Sequence, residues 1–377
     1  IDGPSSPIDS RFGISVDMNS DGSTIVIGAP HYDASDDQGL IQVYTYSGSG
    51  TTWNQKGSNI IGGGTKNYFG YIVKINNDGT RIFTTTYSYD RVIIWDYNSG
   101  TSEWDQIGSI SIGDTVVSLS INNTGSRFAA GKDTANGQAL IYEYSGSGTT
   151  WNLIGDIQGP ALNCETVGLS GDGNTISVHG YSDAPNIIVP QSGGGTVVYK
   201  YSGSGTTWNQ KGDTIYGPNS STTAYPKLNN DGTIILLPYR SSTQYGVLHL
   251  CAYNSNSNTW TQLFEEIGTY VQSVGNYHFG ENAYLLQDGT KCAISSGKRY
   301  VKVYDITYTS STTTTSNPMS LQIHGDLDST PTFSANVDVS HNIMVPGNIT
   351  IIDSSANNYG AYTVYTTKDA STHFSVG

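Results

Sequence analysis

The nonapeptide Tyr-Ser-Gly-Ser-Gly-Thr-Thr-Trp-Asn occurs three times, at 46–54, 144–152 and 201–209. Each copy follows an alternating apolar run and leads into another run that carries a Gly and an Ile. A short Gly/Ser turn between two such runs predicts a β-hairpin. Three copies of one hairpin in one chain mean internal duplication, which limits the fold before any single residue is weighed.

The duplication extends well beyond those copies. Tight turns with glycines at 22, 79, 125, 173, 232 and 289 recur 46 to 59 residues apart, each between an alternating run and an apolar run. The first unit reads as strands a to d at 14–18, 24–29, 40–46 and 53–61. The same order returns in the later units. The sixth replaces its hairpin by a Ser/Thr run at 310–316 and has no Trp in its fourth strand, expected at 319–323. The seventh is legible at 335–339, 343–345 and 361–365. About fifty residues and four strands per unit is the spacing of propeller blades. The expectation is an all-β, seven-bladed β-propeller with four antiparallel strands per blade, one domain over 1–377. Blades are expected at about 11–67, 68–113, 114–163, 164–222, 223–272, 273–329 and 330–377, with 1–10 helping to close the ring.

The third strands align without gaps. Val43, Ile94, Ile141, Val198, Leu250, Val303 and Val364 are equivalent, as are Tyr44, Trp95, Tyr142, Tyr199, Cys251, Tyr304 and Tyr365. Successive strand residues face opposite sides of a sheet, and a blade is covered on both sides, so both sets are expected between blades. Residues 1–4, Ile-Asp-Gly-Pro, resemble the ends of fourth strands at 157–160 and 215–218. Two closures follow: residues 1–10 join the outer edge of the last unit, or 372–376 is its fourth strand. The opening Ile1 in place of Met implies a start removed in maturation or a piece of a longer chain.

Charge narrows the partners. The formal net charge is −14, which argues against a nucleic-acid backbone or an anionic bilayer. No apolar run reaches the roughly 18–20 residues that cross a membrane as a helix. Cys164, Cys251 and Cys292 show no CxxC spacing, so neither a zinc site nor a disulfide framework is indicated. They read as buried small apolar residues, with a Cys251–Cys292 bridge as the alternative. Asn122, Asn219 and Asn348 open N-x-S/T sequons and are glycosylation candidates in a secreted chain.

Phe12-Gly13 with Gly28-Ala29-Pro30, and Phe69-Gly70 in the second unit, resemble the two halves of the FG-GAP-type repeat. The wider pattern, Asp-Gly turn, Tyr-rich third strand and Trp hairpin, is similar to repeat arrays in secreted and surface proteins. Such arrays occur in marine bacteria, microalgae and large DNA viruses of protists. The resemblance implies a propeller and raises calcium. Asp17, Asn19 and Asp21 match the start of a D-x-N-x-D-G loop, but Ile25 stands at its last aspartate. These three are weak metal candidates, because a hard cation wants six or more oxygens and Asp-Gly alone makes a tight hairpin. No other cofactor is implied. The segment Gly50-Thr51-Thr52-Trp53 also resembles the sialidase Asp box, without its aspartate.

In such a blade the a–b and c–d turns share one face. The b–c and d–a loops share the other, and irregular loops on a rigid scaffold are where binding resides. The candidate binding residues there are His31, Tyr32, Asp33, Asp36, Asp37, Tyr181, Asp183, Tyr239 and Tyr245. No G-x-S-x-G, Walker or HExxH motif appears, and no carboxylate pair is marked for glycoside hydrolysis. The expected function is non-enzymatic: an extracellular, cell-surface or virion-surface module for structural assembly, adhesion or protein/glycan binding. Its partner would be a protein or glycan, or further copies in a particle or fibre. The alternative is a glycan-active hydrolase or lyase on a sialidase-like propeller.

Overall fold

The structure, a computed structural model, describes residues 1–4, 10–33, 37–64, 67–86, 90–132, 137–158, 163–181, 195–217, 223–240, 247–267, 283–296, 300–307, 320–324, 343–344, 362–365 and 373–376. Strands fill them in repeating order. Blade one is Ser15–Met18, Thr24–Ala29, Leu40–Tyr46 and Trp53–Gln55, joined by Ile60–Ile61 on the same third strand. Blade two is Val73–Ile75, Arg81–Thr86, Arg91–Asn98 and Glu103–Ser111. Four more sheets follow the same antiparallel meander, giving six described blades of a β-propeller. Tyr362–Tyr365 pairs with His373–Val376 in a separate two-stranded sheet.

The turn between the first two strands explains the regular spacing. Its glycine has φ between 65° and 74° in all six blades, a conformation that disfavours other residues. Asn19 fixes the turn by accepting from Thr24 N at 2.8 Å, and Asn76, Asn122 and Asn229 repeat this with Arg81, Arg127 and Ile234. Ser170 serves in blade four through its hydroxyl.

One apolar layer lies between each successive pair of the six described blades. Val26, Ile41 and Val43 of blade one meet Val73, Ile75 and Ile82 of blade two. Equivalent layers separate two from three, three from four, four from five and five from six. Tyr142 and Tyr199 of the aromatic stripe are half-buried in these layers, and Tyr304 is buried. Cys251 lies in the layer between blades four and five and Cys292 in the next. Blade five separates the two thiols, so the Cys251–Cys292 bridge does not form.

The fourth strand carries a further seam. Trp104 Nε1 donates to Lys56 O, Trp208 Nε1 to Ile154 O and Trp260 Nε1 to Lys211 O, each at 2.8 Å. The indole of one blade thus grips the carbonyl just before the glycine in the preceding blade. That glycine makes room: a Cβ on Gly57 would lie 2.6 Å from Trp104 Cδ1, and one on Gly155 2.5 Å from Trp208 Nε1. Blade five has Phe264 at the glycine position, opposite Leu250. Blade six has Leu321 opposite Ile306 where the others place Trp. Both halves of the contact are lost together, and Phe264 packs against Tyr304 of blade six instead, ring centroids 5.5 Å apart.

Four strands depart from expectation. The fourth strands of blades one and four break after three residues, at Lys56-Gly57 and Lys211-Gly212, where Gly takes φ of 76° and 77°. The first strand of blade five is interrupted at Tyr225-Pro226, since proline has no N–H to pair. Ile343–Met344, expected inside the seventh unit, runs parallel to Leu321–Gln322 at the edge of the sixth sheet.

Candidate functional site

Of the predicted binding residues, the structure brings together those of the first b–c loop. That loop leaves strand Thr24–Ala29 and turns at once, Tyr32 N donating to Ala29 O at 3.1 Å. Asp33 and Asp37 take φ of 64° and 48°, and Asp37 N donates to Asp33 O at 2.7 Å. The compact turn sets His31 Nδ1 3.0 Å from Asp37 Oδ1. Tyr68, from the d–a loop that follows, donates its N–H to Asp37 O and lies edge-on to His31, centroids 5.1 Å apart. His31, Tyr32, Asp33 and Asp37 are all half-buried. Together with Tyr68 they form a polar and aromatic ledge on the loop-bearing face, with ring faces and hydroxyl partners suited to a sugar or a peptide. Tyr68 carried no signal in sequence, because nothing local ties a d–a loop to the preceding b–c loop.

The other candidates fall elsewhere. Asp36, Asp183 and Tyr245 lie outside the described residues, and Tyr181 ends strand Thr175–Tyr181 with its side chain outside them. Tyr239 needs correction: it is not an exposed loop tyrosine but is wholly buried at 0%. It is the next-to-last residue of strand Ile234–Arg240; Ile234 and Leu236 of that strand face the next layer, while Tyr239, with Ile235 and Leu237, faces the blade four–five layer. There it lies edge-on to His179 and His249, at 6.0 and 5.0 Å. His179 Nδ1 is 3.0 Å from Thr196 Oγ1. Burial holds the His179 imidazolium down to about 4 and pushes the Tyr239 phenol up, so both are neutral at pH 7. Sequence missed the two histidines because a single His within an apolar strand has no spacing signature.

The calcium candidates have separate structural duties. Asp17 Oδ2 accepts from Ile75 N of the next blade, Asn19 fixes its own turn, and Asp21 accepts from Ser23 N. The Ser23 hydrogen bonds lower the Asp21 pKa. Among the described residues no group of three or more His, Cys, Asp or Glu is placed to hold a metal. Asn122 is 5% exposed and its amide nitrogen donates to Thr124 and Ser126. A glycan there would require the turn to open. Asn219 and Asn348 lie outside the described residues.

A sialidase-like site would need free arginines for a substrate carboxylate. Arg81 is held by both oxygens of Asp96, at 2.5 and 2.6 Å, by Gly125 O, and by the face of Tyr144. Arg127 is held by Glu143, Gly173 O, Asn174 and the face of Tyr201. Glu103 of blade two accepts from Ser58 N and Oγ of blade one, which lowers its pKa.

No protein-family model matches the chain, and no curated protein sequence matches it. Solved structures are similar in fold. A candidate 6-phosphogluconolactonase from Bacteroides uniformis superposes with a TM-score of 0.55 at 12% identity, covering 78% of this chain and 80% of that one. The periplasmic gluconolactonase of Pseudomonas aeruginosa gives 0.53 at 13%, covering 77% and 80%. The β-propeller domain of Cps50 (Swd1) from Myceliophteria thermophila gives 0.52 at 10%, covering 79% and 83%. At such identities the likeness is one of architecture, and architecture does not carry activity: the chain is a β-propeller.

Proposed function

We propose that this chain is a seven-bladed, non-enzymatic propeller that binds a protein or glycan partner through its loop-bearing face, at a cell surface, outside the cell or on a virion. The observation that carries the non-catalytic reading is where the charged side chains go. Arg81, Arg127, Glu103 and Glu143 are each engaged in bonds within or between blades, so Arg81 and Arg127 are already committed and not free for a substrate carboxylate. The His31–Asp37–Tyr68 ledge is the binding surface in this reading. The surface setting rests on the FG-GAP-like repeat and on the net charge of −14.

Two uncovered faces support the seventh blade. On blade one, Val16 and Met18 are 52% and 49% exposed, whereas their equivalents Val73, Ile75, Val167 and Leu169 are buried. On blade six, Val303 is 43% exposed, whereas Val43, Ile94, Ile141, Val198 and Leu250 are buried. The first face is the side each blade turns to its predecessor and the second the side it turns to its successor. One further blade between them covers both, and the strands Tyr362–Tyr365 and His373–Val376 belong to it.

A glycan array run beside a panel of glycosidase substrates tests the functional reading. Binding without turnover, weakened by His31→Ala or Asp37→Ala, supports it. Turnover of any sugar substrate that is abolished by changing one loop carboxylate overturns it.

A further inference from the structure

Five described blades join their third and fourth strands by hairpins of one length. In each a Tyr pairs with a Trp: Tyr46 with Trp53, Tyr97 with Trp104, Tyr144 with Trp151, Tyr201 with Trp208 and Tyr253 with Trp260. Two turn chemistries close them. In blades one, three and four the tip is Ser-Gly-Ser-Gly-Thr-Thr, its first Gly at φ of 85°, 96° and 97° and its second at 64°, 65° and 63°. The Tyr hydroxyl donates to the carbonyl of the second Gly, and the first Ser donates from Oγ to the carbonyl of the second Ser, all at 2.9 to 3.0 Å. In blades two and five an Asn follows the Tyr instead. Asn98 Oδ1 and Asn254 Oδ1 accept from Gly100 N and Asn256 N at 3.0 Å. The fold therefore accepts either tip on the same pair of strands.

Holding the turn explains only part of the shared tip. The Tyr, the first Ser and both Gly do that work. The second Ser, at 49, 147 and 204, is exposed between the two left-handed glycines, and its hydroxyl makes no hydrogen bond among the described residues. A Cβ on any of those glycines would meet nothing within 4 Å, so the tips stand clear of the protein. The strands that lead into them differ: residues 42–45 read Gln-Val-Tyr-Thr, 140–143 Leu-Ile-Tyr-Glu and 197–200 Val-Val-Tyr-Lys. Exposed loop residues ordinarily vary more than the strands they join. Here the strands have changed and the exposed tip has not.

A Ser/Gly tip has no large side chain to anchor a partner. What it offers is an accessible hydroxyl. No Lys or Arg stands in any of the three tips to pair a phosphate, and a phosphate would add negative charge to a chain already at −14. We infer that Ser49, Ser147 and Ser204 are O-glycosylation sites, each taking a neutral sugar from a nucleoside-diphosphate donor. In the transfer Oγ bonds to the anomeric carbon, the bond from that carbon to the diphosphate oxygen breaks with its electron pair, and the serine proton passes to a base of the transferase. The tips stand on the turn-bearing face, so sugars there leave the loop-bearing face open. Their modification does not depend on what the His31–Asp37–Tyr68 ledge binds.

The test isolates the full chain from the cells that make it and reads its tip peptides by electron-transfer mass spectrometry. Ser49, Ser147 and Ser204 are each expected to carry a sugar mass. Ser99 and Ser255, the exposed serines of the Asn-based tips, are expected to carry none. Ser49→Ala, Ser147→Ala and Ser204→Ala should each remove one sugar mass. In the unglycosylated chain the three changes together should leave the urea midpoint where it was, because these hydroxyls hold nothing. A bare serine at any of the three tips, or sugar on Ser99 or Ser255 as well, overturns the assignment. So does sugar on the neighbouring threonines instead. A phosphate mass overturns the sugar, and a lowered midpoint shows that the serines are kept for stability and overturns the modification reading.

Discussion

Lys56 of blade one donates from Nζ to Gly79 O of blade two at 2.7 Å and lies over the Tyr97 ring, 4.6 Å from its centroid. Gly79 is the turn glycine, and the corresponding carbonyl of the next three blades also receives a cation. Arg81 reaches Gly125 O over Tyr144, Arg127 reaches Gly173 O over Tyr201, and Lys211 reaches Gly232 O over Tyr253. The cation comes from the fourth strand in blades one and four and from the second strand in blades two and three. Where the fourth strand supplies Lys, the second-strand position is Thr24 or Thr175; where the second strand supplies Arg, the fourth-strand position is Ile107 or Ile154. Each of these four interfaces holds one cation, from one of two alternative positions. Cation–π contact and a charge-assisted hydrogen bond both favour this arrangement.

The two positions should therefore exchange. Lys56→Ile alone leaves Gly79 O without its donor and is expected to cost about 1–2 kcal/mol. Adding Thr24→Arg to that chain rebuilds the staple in the form used by blades two and three. Urea unfolding of both variants checks this: a double variant no more stable than the single one contradicts the exchange.

The indole seam makes a sharper steric claim. Gly155→Ala places a methyl group 2.5 Å from Trp208 Nε1 and from Ile141 Cδ1. Overpacking of this kind costs about 1–3 kcal/mol. Trp208→Leu should cost less in the Gly155→Ala background than in the native chain, since the smaller side chain relieves the clash. A double-mutant cycle with zero coupling would show that the two residues do not press on one another.

The buried His179 predicts an acid limb. Its imidazole titrates near 6.5 when unfolded and at about 4 in the fold, so the unfolded chain takes the proton first. Stability from this residue is complete above pH 6.5 and is lost as the pH falls towards 4, by roughly 3 kcal/mol in all. The difference in unfolding free energy between the native chain and His179→Phe should slope through that window and be flat above it. On the alkaline side, burial first and Lys200 second hold Lys211 down to about 8. Here too the unfolded chain binds the extra proton, so this residue adds stability as the pH rises from about 8 towards 10.5.

Much of the scaffold could be read from sequence because its signals are local. Asp21-Gly22 and its repeats dictate a turn wherever they occur, and Tyr46-to-Trp53 dictates a hairpin. What the repeats accomplish between blades was not legible. Nothing adjacent in sequence to Gly155 announces Trp208, 53 positions later, and Lys56 and Arg81 look unrelated until both are seen on turn carbonyls. The loop ledge was half legible: His31 and Asp37 are close in sequence, whereas Tyr68 arrives from another loop. Tyr239 was misplaced because it stands one residue from the end of an apolar strand, where a strand end and a loop start read alike.

Methionine oxidation tests most directly the claim that every blade face is covered by a neighbour all the way round. Met18 projects from the blade-one face on which a seventh blade should sit. Peroxide treatment followed by peptide mass spectrometry reads its oxidation rate in the folded and the urea-unfolded chain. A closed seven-bladed ring predicts that Met18 reacts far more slowly when folded. Equal rates in the two states would leave that face open to water and contradict the ring.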